Sequence, residues 1–318
     1  MAGSIVFAGS GEFGVPSLER LIARGHRVVG VYTQPDKPAG RGHAMTPTPI
    51  GKLAIERELP LVRTPDINAE VLAPADVMVV IAFGQKIAPS IVDHARLGSI
   101  NLHASRLPRY RGAAPIHRAI LEGETETGNS VIRLAQKMDA GRVLAMSRMQ
   151  IGPTETAGEL HDRLAIDGAD LVERVVDELL EGRATEIEQD HAQATLARKL
   201  SRGISVIDFS LPAMRVANQI RGLFPWPGCR VQVREGERVV STLTLCRALS
   251  LEANATSPND VASMNDLAGT IDRDGHVVCG SGVVEILELQ PQGKRPMRLS
   301  DFRNGHAWDA GMKLVSVV

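Results

Sequence analysis

An apolar run, a tight glycine turn, a helix and a second apolar run open this chain, and that order restricts the fold more than any other feature. Ser4-Ile5-Val6-Phe7-Ala8 predicts a buried strand and Gly9-Ser10-Gly11-Glu12-Phe13-Gly14 a turn. Pro16 to Arg24 follows as a helix with proline in its first turn, and Arg27 to Thr33 as a second strand. Strands joined by a crossover helix pair in parallel, and a parallel sheet has both faces covered. The run Val77-Met78-Val79-Val80-Ile81-Ala82, inside a strand expected over Asp76 to Phe83, suits the middle of such a sheet. Ile50 to Arg57 and Pro115 to Leu121 predict helices, and Leu59 to Val62 a short strand. Val131 to Leu134 and Arg142 to Met149 predict a hairpin around Gln136-Lys137-Met138-Asp139-Ala140-Gly141.

Thr156 to Gly182 carries a helical apolar stripe from Leu160 and Leu164 through Val172, Val175 and Val176 to Leu180. Residues 186–206 are polar and mixed in pattern. Beyond them come a helix over Pro212 to Gly222 and short strands at Cys229 to Val233, Val239 to Arg247, Gly269 to Asp272, His276 to Cys279 and Val283 to Leu289. Short strands at this spacing suggest a small all-β barrel, with residues 252–266 as a loop. The expected division is a first domain over 1–185, a linker over 186–206 and a second domain over 207–318. A chain of 318 residues supports two cores. Only ten aromatic residues are present, so those cores are aliphatic. A net charge of −1 excludes a uniformly basic nucleic-acid binder but allows a local basic patch. Cys229, Cys246 and Cys279 follow neither a disulfide nor a zinc pattern. No metal is expected. The opening apolar run is too short for a secretory core and no later run approaches a membrane span, so a soluble, cytoplasmic protein without membrane contact is expected.

The chemistry centres on Asn101-Leu102-His103-Ala104-Ser105-Arg106-Leu107-Pro108, where an apolar approach ends in a loop marked by proline and glycine. In a strand, Asn101 and His103 leave the same face. That aims an amide and an imidazole at one point beyond the carboxyl end of a parallel strand, where open sheets bind ligands. Asp139, on the hairpin turn, brings a carboxylate to them. This set suits acyl transfer to an amine without a covalent enzyme intermediate. Asn101 and protonated His103 donate to the carbonyl oxygen as negative charge develops, while Asp139 supports the imidazolium and helps take the amine proton. Ser105 lacks the surroundings of a nucleophile elbow and is expected to order the loop or bind ligand. Two other features compete. The Gly9 to Gly14 turn matches G-x-G-x-x-G, and with Asp36 it gives a rival reading as a nicotinamide-dependent oxidoreductase. Residues 34–49 form a long loop with Lys37, Arg41 and His43, read either as a solvated insertion or as an arm that orders on a polyanion.

The run N-x-H-x-S-x-L-P-x-x-x-G from Asn101 to Gly112, followed by Met138-Asp139-Ala140-Gly141, resembles the formyltransferases that use 10-formyltetrahydrofolate. The resemblance extends to Phe7 through Ser17, Pro38 to Gly42, Ile220 to Gly228 and Gln290 to Met297. It implies a Rossmann-like N-terminal formyltransferase domain with a mostly parallel sheet and a smaller C-terminal OB-like β-barrel. It also implies the co-substrate 10-formyltetrahydrofolate and, as acceptor and partner, methionyl initiator tRNA, in translation initiation by a monomer. Asn101, His103 and Asp139 fall on the family's catalytic positions. Ser105, Arg106, Leu107 and Pro108 fall on its folate-binding tetrapeptide, with Phe83, Gly84, Gln85 and Ala140 flanking the pterin. Arg41 and Lys37 lie in the inserted loop that approaches tRNA, and the C-terminal domain would add phosphate contacts from Arg215, Arg221, Lys294, Arg295, Arg298 and Lys313. Arg106 stands where the family usually has an apolar residue. An amino-sugar nucleotide is the alternative acceptor, with the same donor and the same three residues.

Overall fold

The computed structural model describes residues 2–39, 44–252 and 266–317. The chain forms two compact units. One comprises Met1–Pro115, Thr127–Met149 and His161–Ala197, the other Ile116–Glu126, Gln150–Leu160 and Arg198–Val318.

The first unit is built on a seven-stranded sheet of β1 (Ser4–Gly9), β2 (Arg27–Thr33), β3 (Leu61–Arg63), β4 (Val77–Ile81), β5 (Ser99–His103), β6 (Ser130–Arg133) and β7 (Val143–Met146). Their spatial order is β7-β6-β5-β4-β1-β2-β3. β1 to β5 pair in parallel, and β6 runs antiparallel to both β5 and β7. The chain moves outward from β1 to β2 and β3, then returns on the other side at β4, so the topological switch lies between β1 and β4. The expected central strand is β4, every residue of which is buried. Helix α1 (Val15–Ala23) buries Ser17, Leu18 and Leu21. Helix α2 (Pro49–Glu56) is capped by Thr48, whose hydroxyl accepts from the Gly51 amide at 3.0 Å. Along α3 (Ala157–Leu180) the predicted stripe is buried from Leu160 to Leu179. At Gly168 the helix comes so close to β5 that a Cβ would lie 2.6 Å from a methyl carbon of Leu102.

Three sequence expectations change. Within 34–49, Lys37–Ala39 and Ala44–Thr46 pair as an antiparallel ribbon, with Pro38 opposite Met45. Runs of three residues are too short to show a period. Arg41 and His43 lie outside the described residues. The polar stretch expected as a spacer begins inside the first unit, where Leu196–Ala197 pairs in parallel with Arg111–Gly112 and Gln189 is buried. Gln189 and Thr195 bond to protein backbone, which composition does not distinguish from solvation. Gly269 to Asp272 supplies only isolated bridges rather than a strand.

The second unit holds helix α4 (Ala213–Gly222) and an antiparallel sheet of β8 (Cys229–Glu235), β9 (Arg238–Leu251), β10 (Val277–Val278), β11 (Val283–Pro291) and β12 (Lys313–Val317). The order is β10-β11-β9-β8-β12, and a short strand at Met297–Arg298 also pairs with β11. Thr270 bridges Lys313 at one edge and Ile271 bridges Val277 at the other, so the two edges are tied together. Phe302 and Trp308 meet edge to face in the core. The three cysteines are buried and unpaired, and burial pushes each thiol up to about 12. Most of the loop expected over 252–266 lies outside the described residues. Among the described residues no helix is long and apolar enough to cross a membrane.

Asp76 ties the sheet's first strand in place. One carboxylate oxygen accepts from the Ser4 amide and hydroxyl, both at 2.8 Å, and the other from Arg96 at 2.7 and 2.9 Å. These bonds, led by the Ser4 amide, lower its pKa to about 2. A depressed carboxylate stabilises the fold above its unfolded value, and that contribution disappears as pH falls through the folded one. Asp76→Asn is therefore expected to cost on the order of 1 kcal/mol near neutral pH, with its thermal midpoint converging on the wild type between about pH 4 and pH 2. A midpoint gap that stays constant to pH 2 would refute the assignment.

Candidate active site

β5 delivers Asn101 and His103 to one face at its carboxyl end, beside β4 through the pairing of Val80 with Asn101. His103 is buried and Asn101 half-buried. The Nε2 atom of His103 lies 2.9 Å from the Tyr110 carbonyl oxygen. A carbonyl only accepts, so Nε2 carries the hydrogen. Nδ1 faces Asp139, whose Oδ2 is 3.6 Å away, close enough for an ion pair but longer than a hydrogen bond. That same oxygen accepts from the Gly112 amide at 2.8 Å. Gly112 has φ of +119° and passes so near Ala197 that a Cβ would lie 2.7 Å from its carbonyl oxygen, so glycine suits this position on both counts. The three residues singled out in the sequence thus include a touching pair, with Asn101 one alternation away on the same strand. Among the described residues the Asn101 side-chain amide makes no hydrogen bond.

The loop after β5 is held from inside. Ser105 is fully buried, and its hydroxyl donates to the Arg109 carbonyl at 2.7 Å. That bond ties the two ends of the turn together. Ser130, opposite His103 on β6, donates to the Ser105 carbonyl at 2.7 Å and accepts from the Leu107 amide at 3.1 Å. Leu107 is buried, while Arg106 and Pro108 are half-buried. On the neighbouring strand end, the Phe83 side chain packs in the core with Val80 and Ile91. The Gln85 amide bonds to the backbone of Ile67 and Thr64, both at 2.8 Å. Gly84 is exposed and Ala140 half-buried. Sequence reasoning gave no site role to Tyr110, Gly112, Arg111, Gln189 and Ser130, although Gly112 closes the motif that begins at Asn101. The first two act through backbone atoms, and Ser130 and Gln189 stand alone in runs without a motif.

The other candidates separate. The glycines of G-x-G-x-x-G pack against the end of β4, since a Cβ on Gly9 would lie 2.8 Å from the Ile81 carbonyl oxygen and one on Gly14 would touch Ile50 and Ile81. Asp36 pairs with Arg63 at 2.9 Å. The turn serves packing, and the dinucleotide reading loses its acidic ribose contact. Lys37 is exposed and donates to Gln34 at 3.1 Å. Lys294 and Arg295 are exposed on the turn after β11. Arg221, expected to meet phosphate, is 5% exposed. Its guanidinium donates to Asn218 and to the carbonyls of Gly152 and Glu155. Burial lowers its pKa. It is a structural residue: the sequence shows its charge but not the carbonyls that surround it.

The family model described as Formyl transferase matches residues 3–176, and Formyl transferase, C-terminal domain, matches residues 199–307. A methionyl-tRNA formyltransferase of Methylobacterium nodulans is 40% identical over 317 residues, covering 98% of both chains. One from Methylococcus capsulatus is 40% identical over 316 residues, covering 98% of this chain and 99% of its own. Among solved structures, WlaRD, a sugar 3N-formyl transferase with dTDP and 5-N-formyl-THF, superposes with a TM-score of 0.63 at 17% identity, over 92% of this chain and 98% of that one. HypX from Aquifex aeolicus in complex with tetrahydrofolic acid gives 0.59 at 16% identity, over 97% of this chain and 49% of that one. At such identities these two neighbours show the shared fold.

Proposed function

The chain belongs to the formyl transferase family, and from that premise we propose that it transfers the formyl group of 10-formyltetrahydrofolate to the α-amino group of methionyl initiator tRNA, in translation initiation. The observation that carries this reading is its 40% identity, over nearly the whole of both chains, to methionyl-tRNA formyltransferases. The sugar formyl transferase shares the fold at 17% identity.

In this reading Asn101, His103 and Asp139 are the catalytic residues. The neutral amine attacks the formyl carbon, and the carbonyl π pair moves to oxygen. Nε2 of His103 is already bonded to Tyr110, so Nδ1 is the ring nitrogen that serves the reaction. Asn101 and Nδ1 donate to the oxygen as its charge grows. Asp139 takes the amine proton, directly or through a water. Return of the oxygen pair breaks the bond to the folate nitrogen, which leaves with a proton. Ser105, Arg106, Leu107 and Pro108 shape the folate loop, with Gly84, Ala140 and the backbone at Phe83 and Gln85 flanking the pterin. The half-buried Arg106 and Pro108 and the exposed Gly84 support that placement.

Arg41, Lys37, Lys294 and Arg295 serve the tRNA. The exposure of the last three supports that part. The C-terminal domain is the tRNA-binding one and OB-like, consistent with its tied antiparallel edges. The enzyme works as a monomer in the cytoplasm.

Formyl transfer to purified initiator methionyl-tRNA, read by mass detection of the product, tests the proposal against elongator methionyl-tRNA and an amino-sugar nucleotide. Product on the initiator alone is expected. Product only on the sugar nucleotide would overturn the acceptor while keeping the chemistry.

A further inference from the structure

Asp139 has φ of +51°, a left-handed conformation unusual for a residue with a side chain, so its carboxylate is aimed by whatever holds that turn. The hold comes from fifty residues further along the chain. Gln189, 6% exposed, donates from Nε2 to the carbonyl of Asp139 at 2.9 Å and to that of Gly141 at 2.6 Å. Its Oε1 accepts from Nε and a terminal nitrogen of Arg111 at 3.2 and 2.6 Å, and Arg111 is itself 4% exposed. Arg111 adjoins both Tyr110, whose carbonyl accepts from His103, and Gly112, whose amide donates to Asp139. The same distal segment fixes Tyr110, since Thr195 accepts from the Tyr110 amide at 2.8 Å. One side-chain amide therefore joins the backbone beneath the carboxylate to the backbone that holds the imidazole.

We propose that Gln189 is a positioning residue for formyl transfer, acting through Arg111 and the Asp139 turn to set the carboxylate against His103. This rests on the reading of Asp139 as the group that takes the amine proton. Gln189 touches no reacting atom. Its loss lets the turn relax toward ordinary backbone, and displacement of a catalytic group by about 1 Å costs on the order of a hundredfold.

The test compares kcat, KM for each substrate and thermal midpoint for the wild type, Gln189→Ala, Gln189→Glu, Asp139→Asn and the double variant Gln189→Ala/Asp139→Asn. Gln189→Glu keeps the acceptor for Arg111 and nearly the same volume but loses both donors to the turn, so it decides the matter should the alanine variant fold poorly. Both single Gln189 variants are expected to lose about ten- to a hundredfold in kcat, with KM values within about twofold of wild type. The double variant is expected to be no slower than Asp139→Asn, because a residue acting through Asp139 has nothing left to position. Wild-type kcat in Gln189→Glu, or single losses that multiply in the double variant, would overturn the proposal alone. Wild-type kcat in Asp139→Asn would overturn the proton-acceptor reading and this proposal with it.

Discussion

Asp139→Asn is expected to lower kcat for formyl transfer by about 10²- to 10⁴-fold, the usual range for loss of a general base, while the protein folds and binds both substrates. The amide is nearly the shape of the carboxylate. Its oxygen still accepts from the Gly112 amide, which bonds to Oδ2 at 2.8 Å in the native protein, so the turn keeps that tie. What disappears is the group able to take a proton 3.6 Å from Nδ1 of His103. KM values therefore change far less than kcat, the pattern for an interaction made only in the transition state. Steady-state kinetics with initiator methionyl-tRNA checks this, and kcat within a few-fold of wild type would remove Asp139 from the mechanism.

Asn101→Ala is expected to cost about 10²- to 10³-fold in kcat, the magnitude found when one donor to a developing oxyanion is removed. Little stability should go with it, since the side chain is half-buried and, among the described residues, its amide makes no hydrogen bond. The contrast with His103 is informative. One imidazole nitrogen is bonded to the Tyr110 carbonyl, so altering the histidine disturbs the following loop as well as the chemistry. Asn101 gives the cleaner measurement. A variant that loses thermal stability in step with activity would mark it as a structural residue of β5.

The N-terminal sheet and the placement of Asn101 and His103 on one strand were legible in the chain. Val77 to Ile81 is uniformly apolar and becomes the fully buried β4. The stripe beginning at Leu160 becomes the buried face of α3. Alternation alone placed Asn101 and His103 on one face, because side-chain direction in a strand is a local property of the backbone. The rest depended on distance in space. The ribbon of Lys37–Ala39 and Ala44–Thr46 is too short to show a period. Arg221 carries the same charge as Arg295, but one is enclosed by backbone carbonyls and the other exposed.

The sequence by itself determined the parallel core, the two-domain texture and an asparagine, a histidine and an aspartate of a kind suited to acyl transfer. These follow from periodicity, turn residues and side-chain chemistry. Only the tertiary structure decided how Asp139 is aimed and which atoms surround His103. Backbone groups of Tyr110 and Gly112 have no identity in a sequence, and Gln189 stands fifty residues from the turn it holds. A hydrogen bond over that separation forms only after both segments have folded onto the same sheet, so no local pattern of residues encodes it.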